Sequence, residues 1–246
     1  MRVLYLWIIL LCFTTGNALA AGKAVDYQIK GEQFSGYFVT PTAGSEKFIL
    51  LIHDWDGLTE YEVKRAEMLA EQGYTVFAAD MYGSGIRPTE TSEKKKMTSA
   101  LYEDRPRMRS LLDGALAVAR DKGIDTTNGV AMGYCFGGAV VLELARSGAD
   151  MKGFVPFHGG LTTPEGQDYS KTKGVLLVLH GTADTSVTME DFANLAEELE
   201  SAKVGHEMIT YAGAPHAFTV FGSPRYREDA DRKSWQRFLG FLQETL

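Results

Sequence analysis

Residues 129–138 are Gly-Val-Ala-Met-Gly-Tyr-Cys-Phe-Gly-Gly, and they carry the strongest indication of the fold class. An apolar run of strand length leads directly into Gly-Tyr-Cys-Phe-Gly at 133–137, and a helical segment follows. Glycines two positions to either side of Cys135 are typical of a nucleophile elbow, a sharp strand-to-helix turn where larger side chains would collide with the strand or the helix. The pattern predicts a reactive thiol at Cys135, with the backbone N–H of Phe136 directed to the place where an oxyanion develops.

Two other interpretations of Cys135 stay open at this point. A lone cysteine is often a small buried apolar residue, and an exposed thiolate in an oxidising compartment can act as a redox sensor. The chain has one other cysteine, Cys12, which lies in a segment that we expect to be removed. Cys135 would then have no partner for an internal disulfide.

The sequence on both sides of this stretch alternates short apolar runs with helix-length segments, which is typical of buried parallel strands. The predicted strands are 48–53, 75–80, 129–134, 153–158, 175–180 and, more weakly, 207–211; the predicted helices are 60–72, 107–122, 138–146, 188–202 and 225–246. Residues 27–30 and 34–40 predict an antiparallel hairpin at the sheet edge, and the lysine run 94–96 is interpreted as a solvated helix face. We therefore expect the α/β class, with a mostly parallel central sheet flanked by helices.

Two polar residues follow predicted strands on the C-terminal side of the cysteine. Asp184 comes after the strand 175–180, and His216 lies in Gly-Ala-Pro-His after the weaker strand. Ligands bind at the carboxyl ends of strands in such sheets, and the chain order nucleophile, acid, base is that of this fold's triad. We expect His216 to take the thiol proton and Asp184 to fix the imidazole tautomer. Both a thiolate–imidazolium pair and a neutral thiol remain possible resting states.

Length, composition and charge restrict the class of protein. A chain of 246 residues with 45% hydrophobic residues is sufficient for one α/β domain, expected over 21–246. The formal net charge of −7 disfavours nucleic acids and anionic membranes as partners, so a small molecule is the expected ligand. No histidine or cysteine pair has metal-ligand spacing, and we expect neither a metal nor a cofactor. The oligomeric state cannot be read from this sequence.

The first twenty residues have the pattern of a signal peptide. Arg2 precedes an apolar run over 3–13, and Ala18-Leu19-Ala20 supplies a small-x-small cleavage pattern. The run is too short to favour a spanning helix. We expect an exported protein, periplasmic or secreted, without stable membrane insertion after cleavage; a retained anchor is the alternative.

The segments around Cys135, Asp184 and His216 together resemble the dienelactone hydrolase family, over about residues 26–246. A fourth segment, Leu-Ile-His-Asp-Trp-Asp-Gly at 51–57, resembles the family segment that places an acid beside the thiol. The resemblance implies that Asp54 bonds the cysteine at rest and that the Trp55 N–H is the second oxyanion donor. A turn residue is the alternative for Asp54.

The resemblance also suggests substrate-binding residues and a departure from the family. The family's carboxylate-binding arginines match Ser84 and Val220 here, so we expect a substrate without that carboxylate. Arg87 could substitute for one of these arginines or could be an exposed salt-bridging residue. The other residues expected to line the substrate site are Tyr82, His158 and Phe218.

These observations predict a hydrolase that cleaves a small carboxylic ester or lactone through a thioester on Cys135. The alternatives are a thioesterase or acyltransferase that uses the same residues, and a non-catalytic redox-sensing or binding module on the same fold. The pH profile of Cys135 alkylation separates an activated thiol from an inert one.

Overall fold

The computed structural model describes residues 22–246, and the predicted signal peptide lies outside the described residues. One eight-stranded sheet forms the centre of the molecule. Its strands are β1 (Lys23–Ile29), β2 (Glu32–Val39), β3 (Phe48–Ile52), β4 (Thr75–Ala79), β5 (Gly129–Tyr134), β6 (Gly153–Phe157), β7 (Val175–Gly181) and β8 (His206–Tyr211). The strand order is β1-β2-β4-β3-β5-β6-β7-β8. The pairs β1–β2 and β2–β4 are antiparallel, and the strands from β4 to β8 are parallel.

Burial along the strands explains why their sequences differ. Every residue of β3, β4, β5 and β6 is buried, because helices cover both faces of the sheet there. In the hairpin β1–β2, exposed and buried positions are interspersed, as expected for strands at an edge. The continuous apolar runs of the sequence are therefore the doubly covered strands.

Six helices flank the sheet: α1 (Glu60–Glu71), α2 (Thr91–Glu103), α3 (Arg105–Asp121), α4 (Phe136–Arg146), α5 (Met189–Ser201) and α6 (Glu228–Thr245). Apolar residues of α1 and α6 pack on one face, and those of α3, α4 and α5 pack on the other. Capping boxes start α1, with Thr59 and Glu62, and α5, with Thr188 and Asp191. No helix within residues 22–246 combines the length and apolar character needed to span a bilayer.

The predicted fold class is confirmed, and most predicted elements lie within a few residues of the observed ones. One helix was not predicted as an element: α2 buries only Leu101 of its thirteen residues, so it lacks a strong apolar periodicity. The elbow helix also starts two residues earlier than predicted, at Phe136. The earlier start matters for the site, because it puts the N-terminus of α4 directly beside Cys135.

Candidate active site

Cys135 lies at the sharp turn between β5 and α4. Its backbone has φ +50° and ψ −109°, a conformation that non-glycine residues rarely adopt. The turn is tight enough that a Cβ on Gly133 would lie 2.3 Å from the carbonyl oxygen of Gly137. A Cβ on Gly137 would in turn lie 2.4 Å from the carbonyl oxygen of Ile52. The glycines at both positions are therefore required by backbone contacts, and the turn has the form of a nucleophile elbow.

Three side chains from distant parts of the sequence meet at this turn. His216 Nε2 lies 3.0 Å from Cys135 Sγ, and His216 Nδ1 lies 2.7 Å from Asp184 Oδ2. The other carboxylate oxygen, Oδ1, accepts the backbone N–H groups of Ser186 at 2.8 Å and Val187 at 2.9 Å. Asp184 is thus held by its own loop, and it orients the imidazole toward the sulfur.

The charge state of this chain of groups follows from its surroundings. Burial raises the pKa of Asp184, but the hydrogen bond and charge of His216 and the two backbone N–H donors outweigh it, so the pKa lies below its usual range. An ionised carboxylate can only accept, so His216 carries a proton on Nδ1. A neutral imidazole then presents Nε2 to the thiol as an acceptor.

Asp54 lies beside the thiol at the carboxyl end of β3. Burial raises the pKa of Cys135 well above its usual value, and the adjacent Asp54 carboxylate raises it further. Burial likewise raises the pKa of Asp54 to about 6, partly offset by the N–H of Trp55. Of the two resting states left open by the sequence, these surroundings favour the neutral thiol.

The two backbone N–H groups predicted as oxyanion donors have different partners in this structure. The Phe136 N–H is at the N-terminus of α4 next to the sulfur, where it partly counters the rise in the thiol pKa. The Trp55 N–H instead donates to Asp54 Oδ1 at 2.5 Å. That amide can meet an oxyanion only after the carboxylate has moved away.

Tyr82 forms part of the wall around these groups. Its hydroxyl donates to the carbonyl oxygen of Trp55 at 3.0 Å, and its ring packs on His53 and Phe136 at centroid distances of 4.6 and 5.5 Å. The hydroxyl is therefore engaged with the Trp55 backbone, and Tyr82 supports the loop that carries Asp54.

Of the residues expected to line the substrate site, Arg87, His158 and Phe218 make their contacts within the protein. The guanidinium of Arg87 donates to the backbone oxygens of Leu58, Ile86 and Ser35 and lies 3.6 Å from the carboxylate of Asp80, so it connects loops. This matches the alternative of a salt-bridging arginine, although the side chain is only 27% exposed.

His158 and Phe218 are fully buried. The His158 ring lies 5.4 Å from the ring of His216, and its Nε2 lies 2.8 Å from Thr219 Oγ1. Phe218 packs between His158 and Tyr211 in the core. Both residues lie C-terminal to a strand, and both side chains are buried against other residues of the protein.

Helix α2 contributes two residues that the sequence pattern did not indicate. Lys94 Nζ lies 5.3 Å from the ring of Trp55 and 3.5 Å from the carboxylate of Asp56. The ring of Tyr102 lies 5.6 Å from that of Phe136. The lysine run predicts a solvated helix face, yet the Lys94 side chain is only 17% exposed. The sequence periodicity of the run does not show which of its three lysines contacts an aromatic ring elsewhere in the chain.

The sequence pattern also does not indicate a buried polar network that contacts His158 beside His216. Thr219 Oγ1 lies 2.7 Å from the Tyr61 hydroxyl as well as 2.8 Å from His158 Nε2. Arg65 donates to the carbonyl oxygen of Thr219 at 2.9 Å and pairs with Asp231. Burial lowers the pKa of His158 well below its usual value, so this ring is neutral. In the described part of the chain, no three potential ligand side chains converge as a metal site would require.

Comparisons with known proteins agree with this fold. The model of the dienelactone hydrolase family matches residues 34–246. The crystal structure of a dienelactone hydrolase-like promiscuous phosphotriesterase from metagenomic libraries is 28% identical, with a TM-score of 0.86 over 93% of this chain and 99% of that one.

Two curated relatives have similar coverage. A Salmonella typhimurium protein with a provisional carboxymethylenebutenolidase name is 25% identical over 94% of this chain and 90% of its own length. A mouse carboxymethylenebutenolidase homolog is 24% identical over 87% of this chain and 85% of its own length. The prediction of an enzyme of the carboxylic ester and lactone hydrolase class is confirmed. The chain belongs to the dienelactone hydrolase family.

Proposed function

We propose that this hydrolase cleaves carboxylic esters or lactones of small molecules through a Cys135–His216–Asp184 triad. The observation that carries the proposal is the continuous contact from Sγ through the imidazole to the carboxylate, with distances of 3.0 and 2.7 Å. At these distances His216 can take a proton from the thiol, and Asp184 can orient the imidazole. The strained elbow at Cys135 and the names of the relatives support the same assignment.

Catalysis would begin from a protonated thiol. The substrate displaces the Asp54 carboxylate from the Trp55 N–H, and His216 Nε2 takes the proton of Cys135. The thiolate forms a bond to the carbonyl carbon while the C=O π electrons move to oxygen. The N–H groups of Phe136 and Trp55 hold this oxyanion.

The second half returns the enzyme to its starting state. The oxyanion collapses, the C–O bond to the alcohol breaks, and His216 protonates the departing oxygen. A thioester on Cys135 remains. Water then attacks it with His216 as the base, and the thiolate leaves and recovers its proton. In a lactone, the departing alcohol remains covalently joined to the acyl group, and hydrolysis of the thioester releases the open hydroxy acid.

The surroundings of the thiol support a substrate without a carboxylate near the reacting carbonyl. Asp54 lies beside the thiol and Asp56 lies near Asp54, and two cations of the adjoining segments are already engaged: Lys94 with Asp56, and Arg87 with loop oxygens and Asp80. An added negative charge would meet like charge there. This charge distribution agrees with the absence of the family's carboxylate-binding arginines from this sequence.

The test is turnover of short-chain 4-nitrophenyl esters and of a panel of lactones and thioesters by the protein and its Cys135→Ala variant. We expect kcat/KM for esters to fall at least about 10³-fold in the variant. Its free energy of unfolding should change by no more than about 1–2 kcal/mol. Mass spectrometry of the quenched reaction should detect one acyl group on Cys135. Retained turnover by Cys135→Ala would overturn the proposal.

The alternatives give different outcomes in the same assays. An acyltransferase would transfer the acyl group to an added alcohol in preference to water, and a thioesterase would favour thioesters over matched esters. A redox-sensing module would turn over none of the panel while its thiol reacts with peroxide.

We further propose that the chain is exported, on the basis of the leader pattern over residues 1–20. Expression of the full chain followed by fractionation tests this. The N-terminal sequence of the exported form should begin near Ala21, and a full-length protein that remains inside the cell would contradict it.

A further inference from the structure

A cleft of about 750 Å³ lies away from the residues of the proposed mechanism. It is bordered by the first half of α3, the C-terminal end of α4, the loop 166–171 and the turn between β1 and β2. We call it the arginine cleft. Five cationic side chains line it: Lys30, Arg105, Arg109, Arg146 and Lys171.

The three arginines of this cleft converge on one carboxylate. Glu143 is fully buried, and it accepts hydrogen bonds from Arg109 Nε at 2.7 Å, Arg146 Nη2 at 3.0 Å and Arg105 Nη1 at 3.3 Å. A single negative charge thus meets three positive charges. One arginine would have been enough to neutralise this buried acid.

The other charged side chains of the cleft do not cancel this excess of positive charge. Asp113 and Asp168 are the carboxylates that line the cleft itself, and Asp168 accepts hydrogen bonds from the backbone N–H and the hydroxyl of Ser170. Five positive charges against three negative ones leave an excess of two, in a chain whose formal net charge is −7.

The arginines also influence one another. Burial lowers the pKa of Arg105, and the charges of Arg146 and Arg109 lower it further, against the opposing effect of Glu143. A second anion in the cleft would relieve this repulsion.

Arg109 has hydrogen-bond donors to offer such an anion. Its Nε is bonded to Glu143, but its two Nη groups have no protein acceptor among residues 22–246, and the side chain is 38% exposed. Lys30 and Lys171 are exposed at the rim of the cleft. A planar guanidinium fork with adjacent ammonium groups is suited to a ligand with several anionic oxygens.

We propose that the arginine cleft binds a small ligand that carries two negative charges on oxygen, either a phosphate monoester or a dicarboxylate. The cleft is one side chain away from the candidate active site. Arg105 Nε donates to the carbonyl oxygen of Tyr102 at 2.9 Å, and its guanidinium lies 5.0 Å from the Tyr102 ring, which packs on Phe136. A bound anion would interact with Arg105, and Arg105 also contacts Tyr102.

The test is calorimetric titration with inorganic phosphate and, separately, with succinate, at constant ionic strength maintained with chloride. We expect saturable binding of one ligand per chain. Binding of phosphate alone would identify a phosphate ester site, and binding of succinate alone would identify a dicarboxylate site. If neither probe gives a saturable signal, the proposal is wrong.

Two variants distinguish a specific binding site from nonspecific attraction of the anion to positive charge. Arg109→Gln should weaken binding about tenfold, since it removes the charged donors. The control, Arg232→Gln, removes one exposed cation from α6 and should leave the affinity unchanged. Equal weakening in both variants would overturn the proposal. If Arg109→Gln does not fold, the double variant Lys30→Gln/Lys171→Gln at the exposed rim serves instead, and unchanged affinity there would count against the site.

Discussion

The backbone N–H of Trp55 donates to the Asp54 carboxylate at 2.5 Å, and the same carboxylate lies beside the Cys135 thiol. One acid therefore occupies a proposed oxyanion donor and favours the protonated form of the nucleophile. Both effects end when the carboxylate moves. In the proposed mechanism, this arrangement would keep the thiol unreactive toward general electrophiles until a substrate enters, because an unionised thiol is a weak nucleophile.

Replacing Asp54 with Asn should make Cys135 more reactive toward iodoacetamide. The amide oxygen can still accept from Trp55, but the negative charge that raises the thiol pKa is gone. A fall of one unit in that pKa would raise the alkylation rate about tenfold at neutral pH. The measurement is the alkylation rate as a function of pH.

The pH dependence supplies the control for this prediction. The pKa of Asp54 is raised to about 6, so its charge is present above that pH and absent below it. The rates of the two proteins should therefore differ at neutral pH and converge in acid. Identical rates at every pH would show that Asp54 does not control the thiol.

Asp184→Asn should reduce kcat by about 10²–10⁴-fold, because the amide no longer fixes the proton on His216 Nδ1. The variant should also be less stable at neutral pH. The pKa of Asp184 is lowered in the folded protein, so its stabilising effect is present above its ordinary pKa and is lost as the pH falls through the folded value. Denaturant titrations should show the stability difference between the two proteins narrowing in acid; a constant difference would contradict an Asp184 carboxylate whose ionised form is stabilised by the fold.

Thr219→Val should lower kcat about tenfold with little change in KM. The isosteric valine leaves the buried Tyr61 hydroxyl and His158 Nε2 without their shared partner, at a cost of about 1–3 kcal/mol in stability. This network contacts the loop that carries His216, because the His158 ring packs against the His216 ring. Steady-state kinetics on a 4-nitrophenyl ester measure the effect.

Thr219→Ser tests whether Thr219 positions His216 or only fills space. Serine restores the hydroxyl but not the methyl group, so it should recover kcat while losing some stability. If serine and valine reduce kcat equally, Thr219 does not position His216 through its hydrogen bonds.

The sequence was sufficient to predict the chain's architecture and the meeting of three distant residues, because both depend on local patterns. Continuous apolar runs indicate doubly covered strands, and the glycines around Cys135 indicate one specific turn. Parallel strands bring their carboxyl ends to the same edge, so Asp184 and His216 could be located from their place in the chain alone.

What could not be predicted depends on the direction of side chains and on long-range contacts. His158 and Phe218 lie where ligands bind in this fold, yet their rings turn into the core. Lys94 belongs to a run of three lysines, and only the packing of α2 on Trp55 distinguishes it from its neighbours. The interaction of Asp54 with the Trp55 amide likewise depends on a rotamer rather than on a pattern.

Gly133→Ala should destabilise the protein by about 3 kcal/mol, the upper range for overpacking, because the new Cβ would lie 2.3 Å from the carbonyl oxygen of Gly137. The clash is with backbone, so relief requires the elbow itself to shift, and activity should fall together with stability. Gly240→Ala in α6 is the matched control: its nearest atom is the flexible end of Arg237 at 3.1 Å, and alanine there should stabilise the helix by up to about 1 kcal/mol. Urea unfolding of both variants measures the difference, and a Gly133→Ala protein as stable as the original would show that the turn is less constrained than its geometry requires.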